Sequence, residues 1–498
     1  MIQLFALVGC LHPTPPGPSP AEQATQVRPP LVMPIDGAIT VAVQLTVRAG
    51  SAHDPTGQEG LAWLTARMIT EAGTAGLDAD TVSDRLYALG TELEWVVDKE
   101  LVTFRARCLA PDAPELLSLV AGLVVAPEWT EDALTRLQDE ARTTLDVSLL
   151  ESDEALGDTV LDVWLNEGHP YGHPDVGRTG VLGLPTLDAV ADFHRDRYVR
   201  QATFAGLAGA TSPALTEQLT QALAALPSAA FSATTPKPRP IPSGRTLLVV
   251  EKPTDSTGIH FGHPLAVTRD HPDHPALTVA MTAFGEHRES YGRLYQALRE
   301  SRGLNYGDYA YLEHYRQVGW SPTQELGTAR SQAQFSVWIR PTTPANGPFA
   351  LKLAVAMTEE LAADGLSPQE FEDFRDRVRL GTPLKARTPS RRLGHALDAL
   401  ALAQPDPLMT LPQAVAPLTK AHVDQALARH LNPEDLRIVV VTGDAQAFVD
   451  AVTGPQPTPP TYEGLELTDA MAARDAQVAA LDLGIDTVQI VQAEGIFR

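Results

Sequence analysis

Histidine, cysteine and carboxylate side chains at short, regular spacings are where a sequence displays chemistry, and this one holds few such sets. His260, His263, His271 and His274 form two H-x-x-H pairs, the pattern of metal ligands. Chelation from a single helix needs its imidazoles at i and i+4 on one face. Pro264, Pro272 and Pro275 instead place these four at strand ends and in loops, so they read as structural. Cys10 and Cys108 are the only cysteines, too few for a disulfide framework or a thiolate cage, and Cys108 reads as a small buried apolar residue. No P-loop, G-x-S-x-G elbow or C-x-x-C pair occurs. Trp63 and Arg67, at i and i+4, are spaced for a cation–π contact of roughly 0.5–2 kcal/mol.

The elements that must position such residues follow from periodicity. ITVAVQLTVRAG (39–50) alternates and is β-branched, predicting a strand; EGLAWLTARMITEAG then puts Leu61, Leu64, Met68 and Ala72 on one helical stripe. A second helix (80–89), strands within 91–108, and helices near 112–124 and 130–150 follow, an α+β order. AAFSATTPKPRPIPSG (229–244) is rich in Pro, Ser and Thr without apolar period and reads as an interdomain linker, after which RTLLVVEK opens a second domain. PTLDAVADFHRDRYVRQATFAGLAG (185–209) and PLTKAHVDQALARHLNPEDLRIVVVTG (417–443) share a helix, a break and an apolar strand ending at glycine, the mark of tandem duplication. The division is therefore 31–228, linker 229–244, 245–453, and a tail from 454 to 498 whose DTVQIVQA is a strand suited to covering a domain or joining a sheet edge.

With 498 residues, 44% apolar and 20% charged, the chain is an ordinary folded protein of more than one core. A formal charge of -24 repels phosphate backbones, which excludes nucleic acid as a partner. No apolar run approaches the roughly 18 residues of a membrane span. Residues 1–30 hold a short apolar run, Leu7-Val8-Gly9-Cys10 and a Pro-rich stretch. They resemble a bacterial lipoprotein signal and tether, which implies lipidation at Cys10, a periplasmic location and membrane contact only through that lipid; the alternative is a frayed terminus of a cytoplasmic protein.

Ala49-Gly50-Ser51, Asp54-Pro55, Gly57, Glu59-Gly60-Leu61-Ala62, Met68-Ile69 and Gly73-Thr74 stand in the register of a larger frame. This frame resembles the pitrilysin and insulinase family of inverted-zincin metallopeptidases, whose H-x-x-E-H helix binds zinc through two imidazoles while its glutamate activates water. On that frame Trp63 replaces the first histidine, Ala66 the glutamate and Arg67 the second histidine. The third ligand position falls within DEARTTLDVSLLESDE and matches Val147 best, with Asp146 and Glu151 nearby. The zinc motif is thus degenerate and the chain is expected to hold no catalytic metal. Arg67 is expected to fill the vacated site and pair with Asp146 or Glu151.

SYGRLYQALRESRGLNYGDYAYLEHY (290–315) resembles the family's second signature, in which an arginine and a tyrosine serve the zinc site; here they are Arg299 and Tyr306. A guanidinium and a phenol are suitable donors to the oxyanion of peptide hydrolysis. The resemblance covers nearly all of 35–450. It implies two tandem homologous α/β-roll halves, each a mixed sheet with packed helices, forming a clamshell for an extended peptide. It also implies a chain inactive alone, an accessory subunit that lends Arg299 and Tyr306 to a homologous partner carrying the zinc, within a heterodimeric metalloendopeptidase. The alternative from the same fold is an inactive peptide-binding or scaffold protein. An autonomous enzyme with a rebuilt metal site ranks last, since the ligands are missing.

Overall fold

The computed structural model describes residues 27–229, 239, 242–316, 319–462 and 464–498; Cys10 with its leader and most of the linker lie outside these. The first half comprises β1 (Leu31–Pro34), β2 (Thr40–Val47), α1 (Leu61–Thr70), β3 (Glu94–Val97), β4 (Val102–Leu109), α2 (Ala113–Val125), α3 (Glu131–Thr143), α4 (Asp153–Leu165), α5 (Leu187–Arg197) and β5 (Thr203–Gly209). The second comprises β6 (Arg245–Glu251), β7 (Thr257–Leu265), α6 (His274–Gly285), β8 (Asp308–Tyr311), β9 (Ala333–Thr342), α7 (Gly347–Asp364), α8 (Pro389–Leu402), α9 (Lys420–His430) and β10 (Arg437–Thr442). A tail adds α10 (Asp469–Ala479) and β11 (Ile485–Gln492).

The first sheet runs β1-β5-β2-β4-β3 and the second β11-β6-β10-β7-β9-β8. In each, the repeated helix–strand unit (α5 with β5, α9 with β10) delivers a central strand, parallel to one neighbour and antiparallel to the other. Position by position the two sheets have one topology, the second extended by β11, as the internal repeat predicts.

The halves exchange cover. α4 of the first lies across β7 and β10 of the second, and α8 of the second lies across β2 and β5 of the first. This explains why RTLLVVEK and RIVVVT are apolar runs without alternation: a strand buried on both faces needs apolar side chains on both. Leu247, Val249, Ile438 and Val440 join the second half's core, while Leu248, Val250, Val439 and Val441 join the first's. The approach is close. A Cβ at Gly157 in α4 would lie 2.5 Å from the His260 ring, and one at Gly206 in β5 2.5 Å from the Leu393 side chain in α8.

The tail both covers a domain and joins a sheet edge. β11 pairs in parallel with β6, and α10 packs on α7. The chain then crosses to the first half, where Ala493 and Phe497 enter its core and the Phe497 carbonyl accepts the Thr179 N–H at 3.0 Å.

Helix 130–150 of the sequence reading is interrupted: α3 gives way to a wide π turn at Thr144–Ser148. A second wide turn, Gln296–Glu300, carries Arg299. Such turns rotate the side chains that follow relative to the helix before them.

Candidate functional site

α1 begins where Asp54 accepts the N–H groups of Gly60 and Ala62, both at 2.7 Å, and Gly60 takes φ +103°, a left-handed geometry suited to glycine. Burial pushes the Asp54 carboxyl up to about 8 against those two donors. Leu61, Leu64 and Met68 face the core, and Ala66 and Trp63 are buried beside them.

Arg67, with only 13% of its side chain exposed, donates to both carboxylate oxygens of Glu140 (2.8 and 3.0 Å) and lies 2.9 Å from Glu71. Its guanidinium stands 5.0 Å from the Trp95 ring and 5.9 Å from the Trp63 ring, and the two indoles meet edge to face at 5.9 Å. The expected cation–π contact is present, but the expected carboxylates are not the ones used. Asp146 instead accepts the Thr179 hydroxyl at 3.2 Å, and Glu151 lines a separate surface hollow. Val147, the position matched to the third ligand, is 47% exposed. The wide turn at Thr144–Ser148 carries all three off the straight helical path, leaving Glu140, one turn earlier, to reach α1. Sequence reasoning missed Glu140; the signal available was its place beside Ala141 on the Leu134–Leu137–Ala141 stripe. Indole, methyl and guanidinium offer a divalent cation no lone pair, so these residues do not fit zinc.

In the second half, Arg299 donates to the Tyr306 carbonyl at 2.7 Å, its guanidinium 5.1 Å from the Tyr295 ring and 5.6 Å from the Tyr306 ring. Gly303, at φ +65°, turns the chain between them. Arg302 is gripped by Asp475 of α10 at 2.7 Å, and Asn305 donates to buried Asp308 at 2.5 Å; burial pushes that carboxyl well above its usual range. The turn is therefore fixed from both sides. Tyr306 itself is 71% exposed, its phenol without a hydrogen bond among the described residues. It overhangs a hollow of about 460 Å³ with Glu151, Asp153, Lys252 and Arg340.

Ser152 and Glu154 separate that hollow from an inter-half cavity of about 410 Å³, walled by Trp63, Asp158, His260, Tyr311, Tyr315 and Trp338. The charged groups around it are paired: Glu154 with Arg340 (2.7 Å), Asp175 with Lys99 (3.0 Å), Asp162 with Arg330 (2.8 Å) and Arg316 with Glu325 (3.4 Å). Asp158 has no such ion pair among the described residues, and burial pushes its carboxyl up to about 6. Asp162 is more deeply buried, but Arg330, His314 and Lys99 hold it far below the carboxylate range. Among the described residues, His260 Nε2, the Tyr315 hydroxyl and Trp338 Nε1 are buried without a hydrogen-bond partner, and His314 Nδ1, also without a hydrogen bond, lies 3.6 Å from Asp162. Sequence reasoning missed Asp158 as well, because the strands that enclose it come from the other half.

The four histidines of the H-x-x-H pairs separate. His260 walls the cavity; His263 accepts the Asn432 N–H at 3.2 Å; His274 lies 3.5 Å from Glu313; His271 packs edge to face on His430 at 5.2 Å.

Residues 33–166 match the family model described as Insulinase (Peptidase family M16), and 186–378 match Peptidase M16 inactive domain. An uncharacterised zinc protease of Mycobacterium tuberculosis is 23% identical over 364 residues, 71% of this chain and 77% of that one. The Bacillus subtilis uncharacterised zinc protease YmxG is 20% identical over 409 residues, 81% and 93% of the two. Among solved structures, a peptidase M16 inactive domain from Pseudomonas fluorescens superposes with TM-score 0.72 at 22% identity, covering 84% of this chain and 96% of its own. A Helicobacter pylori protease gives TM-score 0.70 at 15% identity, covering 84% and 98%.

Proposed function

The chain belongs to the insulinase (M16) peptidase family, and from that membership we propose that it is the non-zinc-binding accessory subunit of a two-chain metallopeptidase. Arg299 and Tyr306 serve the zinc site of a homologous partner, where guanidinium and phenol stabilise the oxyanion formed as water attacks a peptide carbonyl. The observation that carries this reading is the Tyr306 side chain, 71% exposed on an anchored turn, its hydroxyl without a hydrogen bond among the described residues. The Arg67 plug supports it from the other side: with Glu140 and Glu71 bound to a guanidinium, α1 is built as structure. An extended peptide is the substrate class. A periplasmic location with a lipid on Cys10 is part of the proposal, tested by fatty-acid labelling that Cys10→Ala should abolish.

The central test mixes the purified chain with an H-x-x-E-H homologue and follows peptide hydrolysis. Activity should exceed the partner's own, and Arg299→Ala or Tyr306→Phe should lower kcat on the order of 10²-fold while the complex still elutes as one species. A mixture no more active than the partner alone, or full activity in both variants, refutes the reading.

The second reading, a peptide-binding or scaffold protein without chemistry, is favoured by one observation: the inter-half cavity, where His260 Nε2, the Tyr315 hydroxyl and Trp338 Nε1 have no hydrogen-bond partner among the described residues. Calorimetric peptide binding by the chain alone, unaffected by Tyr306→Phe, would select it.

A further inference from the structure

We propose that His271, Asp273 and His430 form a binding site for a first-row divalent cation such as Zn²⁺ or Co²⁺. One ligand atom from each lies within 4.8 Å of the other two, and all three side chains are half-buried. His271 and Asp273 sit in the turn that opens α6, and His430 ends α9, so the set is invisible in the H-x-x-H spacing. Two imidazoles and a carboxylate are a zinc-type donor set with a fourth position left for water. Ligands about 2.0–2.2 Å from a tetrahedral centre stand roughly 3.4 Å apart, so the three atoms need to draw together by at most about 1.4 Å to close the site.

Other features suit a cation. Asp273 is the N-cap residue of α6 yet makes no side-chain cap bond, leaving its carboxylate to point at His430 Nε2, 2.8 Å away. His430 lies in the last turn of α9, the end of a helix dipole that favours positive charge. Arg429 already occupies that preference, donating to the two Asp273 oxygens at 2.8 and 3.1 Å from a side chain 52% exposed. The cation must displace this guanidinium, the Nε2 proton that His430 donates to Asp273 (2.8 Å) and that leaves to solvent, and the hydrogen bond from the Asp273 N–H to His271 Nδ1 (3.1 Å). Arg429 is therefore a competitor whose removal strengthens the site. None of this depends on α1 or on a partner chain.

The experiment titrates untagged full-length protein with Co²⁺, reading the visible d–d absorption of tetrahedral ligation, and then displaces it with Zn²⁺. Wild type should bind one equivalent. Arg429→Ala should bind about fivefold more tightly or better, since a like charge a few ångströms away is gone. His271→Ala and His430→Ala should each lose the tetrahedral band, with far-UV dichroism confirming that both remain folded. No band even in Arg429→Ala, or a band that survives both histidine variants, overturns the proposal.

Discussion

At the scale of single residues, Arg67 shows how one nearly buried guanidinium can tie a helix to its surroundings. Its guanidinium bridges α1 to α3 through Glu140 and to the end of α1 through Glu71. Because Glu140 is 41% exposed, the pair is worth less than a fully buried one, and Arg67→Ala should cost about 1–2 kcal/mol in denaturant unfolding. A gain-of-ligand test is sharper. Trp63→His with Arg67→His places two imidazoles opposite Glu140; the double variant should bind one zinc by metal analysis and lose it on adding Glu140→Ala. Asp158 predicts a pH effect of definite sign. Its folded pKa, about 6, lies above the ordinary 3.8, so ionisation opposes folding. The cost is absent below pH 4, grows between 4 and 6, and is complete above 6, at most about 3 kcal/mol. Asp158→Asn should therefore raise stability at pH 8 and leave it unchanged at pH 3.5. The frame around Trp63, Ala66 and Arg67 was legible in sequence because helical register is local. The partner of Arg67 was not, because a five-residue wide turn shifts facing by an amount no spacing rule anticipates.

At the scale of elements, the tail is a strap. Arg302 is anchored by Asp475 of α10, β11 closes the β6 edge, and Phe497 is buried in the first half. Phe497→Ala should cost about 3 kcal/mol, as for other large-to-small core changes, measurable by urea unfolding. Ending the chain before β11 should leave β6 an unpaired apolar edge, visible as concentration-dependent association in light scattering. The strand character of DTVQIVQA was readable from its composition. Which edge it joins depends on contacts more than two hundred residues away in sequence, such as Gln492 opposite Glu251.

At the scale of the molecule, the exchange of α4 and α8 makes the halves mutually dependent. Each supplies the cover for one face of the other's sheet. Produced alone, residues 245–498 should expose Leu248, Val250, Val439 and Val441 and aggregate, while the whole chain should unfold in a single transition by both fluorescence and circular dichroism.

By itself the sequence determined the two α+β halves, their repeated helix–strand unit and the absence of imidazole and carboxylate side chains from residues 63–67, since each is written in local periodicity or residue identity. Only the tertiary structure decided that Glu140 meets Arg67, that Asp158 lines a cavity without an ion pair among the described residues, that Tyr306 stands outward and that His271 finds His430. The physical reason is that these depend on how separate elements pack, and packing is set by the summed burial of many side chains.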